Sequence, residues 1–152
     1  MKKIIFIIGV LYVQSISAQI LKPVKLSFSS NKIDSNIYEV HLKAQVDTGW
    51  HIFSQYSEQD DGIGPLPTSI TFKQNDMVAI QGKPKEVGEL QEKFEEVFEV
   101  NTKCYYNEVV FVQKVKTKTN KPVILEGTIT YMACKDEQCL TPQEVEFEVV
   151  LN

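Results

Sequence analysis

Cys134 and Cys139 are the residues of this sequence best suited to chemistry, because only four polar residues separate the two thiols. This spacing fits a disulfide across the mouth of a β-hairpin. Closing so short a loop stabilises a fold by only about 2 kcal/mol on the chain-entropy estimate. Reversible thiol–disulfide exchange therefore competes with a purely structural role for the pair.

The residues between the two cysteines do not favour a strongly nucleophilic thiol. Lys135 would stabilise a thiolate, whereas Asp136 and Glu137 oppose it, and no Cys-x-x-Cys motif is present at a helix start. We therefore expect a disulfide on which a more reactive partner acts. Such a domain relays electrons and does not initiate the reaction.

Cys104 is a third thiol without an obvious partner. In an oxidising compartment the simplest arrangement is a bridge between Cys134 and Cys139, since the close pair closes most easily. Cys104 is then either buried as a small apolar residue or paired with another molecule.

The first 18 residues have the features of a secretory signal peptide. Lys2 and Lys3 precede an apolar stretch at residues 4–13, and small residues lead to a cleavage position after Ala18. The apolar stretch is short for a membrane span, and no second one follows it. We expect residues 19–152 to form a single domain in the periplasm, with secretion or a retained N-terminal anchor as the alternatives.

Charge and motifs exclude several classes of function. The net charge is −4, and loss of Lys2 and Lys3 with the leader makes it −6. All 16 basic residues are lysines, so the arginine fork that reads phosphate and guanine is missing, and we expect no nucleic-acid partner. His41 falls on an outward strand position and His51 has no second ligand at a familiar spacing, so we expect no metal site. No cofactor motif is evident, and we expect no stable membrane span after cleavage.

Alternation of apolar and polar residues predicts an all-β fold. Only residues 87–98 offer a weak helical pattern, and charged residues interrupt its apolar stripe. Seven or more short strands in one domain indicate an immunoglobulin-like antiparallel β-sandwich, in which Trp50, Phe53 and Tyr56 are expected to pack. Strands are predicted at residues 24–28, 38–46, 51–54, 69–72, 109–115, 123–133 and 145–151.

The strand that leads to Cys134 places this thiol on the face opposite the core. Leu125, Ile129 and Tyr131 share the parity assigned to the core, and Cys134 has the other. We therefore expect Cys134 at a strand end near solvent, where a partner can reach it. A bulge at Gly127 would reverse this assignment.

Three segments together resemble the N-terminal periplasmic domain of the thiol:disulfide interchange protein DsbD. They are residues 49–55 (Gly-Trp-His-Ile-Phe-Ser-Gln), residues 64–68 (Gly-Pro-Leu-Pro-Thr) and residues 131–142 (Tyr-Met-Ala-Cys-Lys-Asp-Glu-Gln-Cys-Leu-Thr-Pro). The resemblance implies an immunoglobulin-like fold with Cys134 and Cys139 in the two redox positions. It also implies that the pair takes electrons from a thioredoxin-like domain or membrane electron carrier and passes them to periplasmic oxidoreductases.

The same resemblance implies a cap loop whose aromatic ring covers the cysteine pair. Residues 96–98, Glu-Val-Phe, lie at the position of that loop, seven residues before Tyr105. Phe98 is the first candidate for the cap ring, Glu96 belongs to the same loop, and Phe94 is the second candidate. The alternative for Phe98 is an ordinary place in the core.

The leading hypothesis is a relay of the protein-disulfide reductase type that acts through a partner. The sequence ends soon after its last predicted strand, so we expect electrons to arrive from a separate protein. The alternative is a non-catalytic envelope binding or assembly β-sandwich, in which the same disulfide only rigidifies a hairpin.

Overall fold

A computed structural model describes residues 21–57, 59 and 64–152, and the proposed signal peptide lies outside these residues. Strands account for all of the regular structure in the described part of the chain. They are β1 (Val24–Asp34), β2 (Ile37–Val46), β3 (His51–Phe53), β4 (Ser69–Phe72), β5 (Val78–Glu95), β6 (Val100–Thr117), β7 (Val123–Tyr131), β8 (Ala133–Lys135), β9 (Gln138–Cys139) and β10 (Gln143–Leu151).

Two antiparallel sheets form the fold. The larger has seven strands in the order β1-β2-β6-β3-β8-β9, with β5 paired to the other edge of β6, and the smaller has the order β10-β7-β4. The long strand β6 pairs with β2 through its second half and with β3 through its first half. The prediction of an all-β immunoglobulin-like sandwich is confirmed.

The main core lies between the two sheets. Alternate residues of β2, namely Tyr38, Val40, Leu42 and Ala44, are buried there, as the period-two pattern predicts. Opposite them, β7 and β10 contribute a second set of buried side chains: Leu125, Ile129, Tyr131, Phe147, Val149 and Leu151.

Gly127 lies at the centre of the smaller sheet, between Phe72 and Phe147 in the register. A Cβ added at this residue would lie 2.4 Å from the Thr71 carbonyl oxygen and 2.5 Å from Cζ of Phe147. The ring of Phe147 stacks on Phe28 with centroids 5.1 Å apart. Pairing of β7 stays regular through Gly127 on both sides, so this glycine makes room for a ring and forms no bulge.

The weak helical pattern at residues 87–98 does not correspond to a helix. These residues belong to the β5–β6 hairpin, whose 18-residue strands pair from Val78↔Thr117 to Glu95↔Val100. Exposed apolar and charged residues alternate irregularly here because β5 is an edge strand with two register shifts. Tertiary pairing therefore overrides the local pattern.

The chain changes sheets at Met132. β7 belongs to the smaller sheet, whereas β8 pairs with β3 of the larger one. Ala133 still points into the main core, and Cys134 therefore points to the outer face of the larger sheet. No helix in the described ranges is long and apolar enough to cross a membrane.

Candidate functional site

Cys134 and Cys139 form a disulfide across a tight hairpin, as the spacing predicts. The two residues are direct partners in the β8–β9 register, and their Cα atoms are 4.1 Å apart. Lys135 pairs with Gln138 at the last rung, so Asp136 and Glu137 form the turn. Asp136 has φ of 50°, a left-handed conformation that aspartate tolerates better than most residues.

The expectation that Cys134 lies near solvent is wrong. Its parity is as predicted, on the face opposite the main core, but its exposed fraction is 0%. Phe53 and Cys104 form a second buried cluster with it, because β3 and β6 present side chains on the same outer face. Cys139 is only half-buried, so the two sulfur-bearing residues differ in access.

Cys104 is a free, buried thiol in this second cluster. Its position confirms the first of the two alternatives, a small apolar residue packed inside the fold. Burial raises the pKa of the Cys104 thiol to about 11, so the group stays protonated at neutral pH. Cys104 is therefore a poor nucleophile in the folded domain.

His51 lies directly beside the disulfide. In the sheet it is the partner of Cys134 on β8 and of Tyr106 on β6. Its Nε2 atom lies 3.0 Å from Oε2 of Glu95, and both side chains are 1% exposed. Burial is the main cause that lowers the pKa of His51, with Lys93 next, so its imidazole is neutral at neutral pH.

Glu95 connects the tip of the β5–β6 hairpin to this site. The side chain reaches His51 from the end of β5, and its carboxylate also lies 3.6 Å from the Lys93 ammonium. A polar cavity of about 260 Å³ separates the tip from the cystine turn. Its lining comprises Lys93, Phe94, Glu95, Glu96, Asp136 and Glu137.

The three predicted cap residues occupy different places at this tip. Phe94 and Glu96 border the cavity next to the cystine turn, and Phe94 is 53% exposed. Phe98 is half-buried in the turn between β5 and β6, where its backbone N–H donates to the Glu95 carbonyl. The partly buried side chains that pack on the Phe53, Cys104 and Cys134 cluster are Tyr106, Met132 and Cys139, and Phe98 is not one of them.

Glu86 holds the chain in place where it leaves β3. Its carboxylate accepts hydrogen bonds from the Ser54 hydroxyl at 2.6 Å, the Gln55 backbone N–H at 2.7 Å and the Tyr105 hydroxyl at 2.8 Å. Burial and this carboxylate both raise the pKa of Tyr105. The bonds fix the end of β3, which carries His51 and Phe53 into the site.

The aromatic residues around this strand separate into different environments. Trp50 packs in the main core as expected, whereas Phe53 packs on the opposite face against the cysteines. Tyr56 is 51% exposed, so the expectation that it packs in the sandwich is wrong. Among the described residues, no group of three or more His, Cys, Asp and Glu side chains is placed to hold a metal ion.

A model of the family "Thiol:disulfide interchange protein DsbD, N-terminal" matches residues 17–151. The chain belongs to this family. The match covers the disulfide hairpin, His51 and Glu95 alike. No curated protein sequence matches the chain significantly.

Solved structures of N-terminal domains of DsbD and ScsB share the fold of this chain. The reduced DsbD N-terminal domain of Neisseria meningitidis superposes with a TM-score of 0.54 at 17% identity, over 79% of this chain and 81% of that one. A structure described as the complex of the DsbD and PilB N-terminal domains from the same organism gives 0.53 at 16% identity, covering 86% and 87%. The N-terminal periplasmic domain of ScsB from Proteus mirabilis gives 0.50 at 17% identity, covering 84% of this chain and 44% of that one.

His51 and Glu95 are the site residues that the sequence did not reveal. In the sequence, His51 lies in one of the segments that resemble the family, but nothing there gives it a role beside the cysteines, and Glu95 is one of many acidic residues. The signal was weak, because 44 residues separate them and only the pairing of β6 with both β3 and β5 brings them together. In this member of the DsbD N-terminal family, the site thus comprises a disulfide, a buried thiol and a buried His–Glu pair.

Proposed function

We propose that this domain is a periplasmic thiol–disulfide exchange module. Its Cys134–Cys139 disulfide receives electrons from a thioredoxin-like domain or membrane electron carrier and passes them to client oxidoreductases. Family membership supports this proposal, as does a disulfide at the predicted redox positions. The reported complex of a DsbD N-terminal domain with a PilB N-terminal domain supports docking of a second domain.

The observation that carries the proposal is the unequal access to the two sulfur-bearing residues. Cys139 is half-buried, whereas Cys134 is fully enclosed. Exchange requires in-line attack of a thiolate on one sulfur while the other leaves. Cys139 is therefore the sulfur that a partner attacks, and Cys134 is the leaving group.

A partner with two thiols supplies all the electrons and protons that this reaction needs. The first partner thiolate bonds to the Cys139 sulfur, the disulfide breaks, and its electron pair leaves on Cys134, which takes up a proton. The second partner thiolate then attacks the partner sulfur of the mixed disulfide and releases Cys139. The domain gains two electrons and two protons, the partner becomes oxidised, and the reverse sequence reduces a client.

The reduction potential of the pair tests the proposal. We expect a value of about −270 to −120 mV, the range of thiol–disulfide exchange proteins, measured by equilibration with glutathione or dithiothreitol. The variant Cys104→Ala should give the same potential, because Cys104 is a separate, buried thiol. A potential below about −300 mV would support the alternative, a binding module with a purely structural disulfide.

A further inference from the structure

His51 and Cys134 are placed to exchange a proton. They are direct cross-strand partners between β3 and β8 and lie on the same outer face of the larger sheet. Such partners have Cβ atoms about 5 Å apart, so their side chains are within reach of each other. Both residues have an exposed fraction of 0%, so neither side chain is in contact with bulk solvent.

The imidazole of His51 has one ring nitrogen in use and one without a partner. Nε2 lies 3.0 Å from the Glu95 carboxylate, which only accepts hydrogen bonds, so the neutral ring carries its proton on Nε2. Nδ1 is then a bare acceptor, and it has no hydrogen-bond partner in the described part of the chain. A buried polar atom without a hydrogen-bond partner destabilises a fold, and such atoms are rare in native proteins, so the vacant Nδ1 indicates a partner that is present only in another state of the molecule.

The redox state of Cys134 determines whether His51 Nδ1 has a hydrogen-bond donor beside it. A disulfide sulfur carries no proton and cannot donate to Nδ1. Reduction converts Cys134 into a thiol, which does carry a proton. The vacant acceptor therefore gains a donor at the moment when the disulfide opens.

We propose that His51 is the proton acceptor for Cys134 in the exchange reaction and that Glu95 holds its tautomer and stabilises the imidazolium formed. This inference rests on the exchange function proposed above. When the reduced domain passes electrons to a client, Cys139 first forms a mixed disulfide with one client sulfur. Cys134 then gives its proton to Nδ1 and attacks the Cys139 sulfur, and the client sulfur leaves with the electron pair and takes up a proton from solvent.

Burial is the physical reason that Cys134 needs a base. An enclosed thiolate lacks hydration, and the neighbouring Cys104 shows the effect, with its pKa raised to about 11. The pKa of His51 is lowered, mainly by burial, so its ring is an unprotonated base at neutral pH. The charged and titratable groups that act on this ring are Lys93 and Glu95 from β5, Tyr106 from β6, Cys134 from β8 and Asp136 from the cystine turn.

A two-step reaction with 5,5′-dithiobis(2-nitrobenzoate) isolates the proposed step. In a Cys104→Ala background, the first coloured thiolate reports attack by Cys139, and the second reports ring closure by Cys134. We expect His51→Phe to slow the second phase at pH 7 by about 100-fold, the scale of general base catalysis, and leave the first phase nearly unchanged. In this variant the rate of ring closure should then increase with pH, as hydroxide deprotonates Cys134.

Two further variants make the result specific. Glu95→Gln should slow closure by a smaller factor, because the amide still accepts from Nε2 but does not stabilise an imidazolium. His41→Phe is the matched control, since His41 also faces a glutamate, Glu39 at 3.5 Å, but lies on β2 away from the disulfide. An unchanged second phase and pH profile in His51→Phe would overturn the inference.

Nitrogen NMR tests the inference on the unaltered protein, so its result does not depend on whether a variant folds. We expect the His51 Nδ1 signal to move on reduction of the disulfide, while the His41 signals stay in place. Identical His51 signals in both redox states would overturn the inference and leave the exchange function standing. If a thioredoxin-like protein fails to reduce the disulfide at all, the exchange function itself fails, and the inference fails with it.

Discussion

The two cysteines of the disulfide differ in their access to solvent. Both belong to a hairpin closed by a two-residue turn, yet Cys134 is enclosed by Phe53 and Cys104, and Cys139 is half-buried. Thiolate attack needs access to one sulfur only. In the exchange reaction that we propose, this difference sets the order of attack: Cys139 is the sulfur that the partner reaches, and Cys134 opens or closes the bond.

The cap function proposed for the hairpin tip can be tested with its two phenylalanines. Phe94 borders the cavity beside the cystine turn, so we expect Phe94→Ala to speed reduction of the disulfide by dithiothreitol about threefold, or ~0.7 kcal/mol of lost shielding. Phe98→Ala is the matched comparison and should change the rate less, because Phe98 does not pack on the cysteine cluster. A larger effect from Phe98→Ala would instead support Phe98, the first candidate for the cap ring.

At the level of elements, β3 organises the site although it has only three residues. It lies between β6 and β8, so its outer face brings His51 and Phe53 against residues of both neighbours. A strand this short contributes few ladder hydrogen bonds of its own. The interactions at its end, centred on Glu86, therefore have a large share in keeping it in register.

We expect Glu86→Ala to lower the free energy of unfolding by about 2 kcal/mol, because it leaves the Tyr105 hydroxyl and Ser54 without their acceptor. Urea denaturation measures this change. Glu92→Ala on the same strand is the control, since Glu92 is exposed and should stay within about 0.5 kcal/mol of the unaltered protein. Equal losses in the two variants would show that the Glu86 interactions do not stabilise the site.

At the level of the whole molecule, the packing of the two sheets depends on close approach around Gly127. The ring of Phe147 lies against this glycine and also contacts Phe28 of the larger sheet and Phe72 of the smaller one. Protein interiors are packed so densely that an added methyl group displaces its neighbours. The two sheets can therefore pack at this distance only because residue 127 has no side chain.

Gly127→Ala should destabilise the domain by about 3 kcal/mol, because the new Cβ would meet a backbone oxygen as well as the ring. Thermal unfolding measures the loss. Thr128→Ala tests the neighbouring position on the opposite face, and we expect it to cost much less. A Gly127→Ala variant as stable as the original would mean that the two sheets can shift apart without cost.

The sequence by itself determined the class of fold and the chemical pair. Alternation of residues along β2, β7 and β10 follows directly from the two faces of a strand, so the buried sets could be read from local pattern. The disulfide was predictable for the same reason, because Cys134 and Cys139 are neighbours in the chain and their spacing fits a hairpin. In each case the information lies within about ten consecutive residues.

Only the tertiary structure decided what surrounds that pair. The enclosure of Cys134, the burial of Cys104 and the pairing of His51 with Glu95 all depend on β6 joining β3 and β5 on its two edges. No local period encodes which strands become neighbours, and the irregular edge strand β5 even resembles a weak helix in sequence. Access to the disulfide is therefore set by contacts between residues far apart in the chain, since access and solvation are properties of the packed molecule.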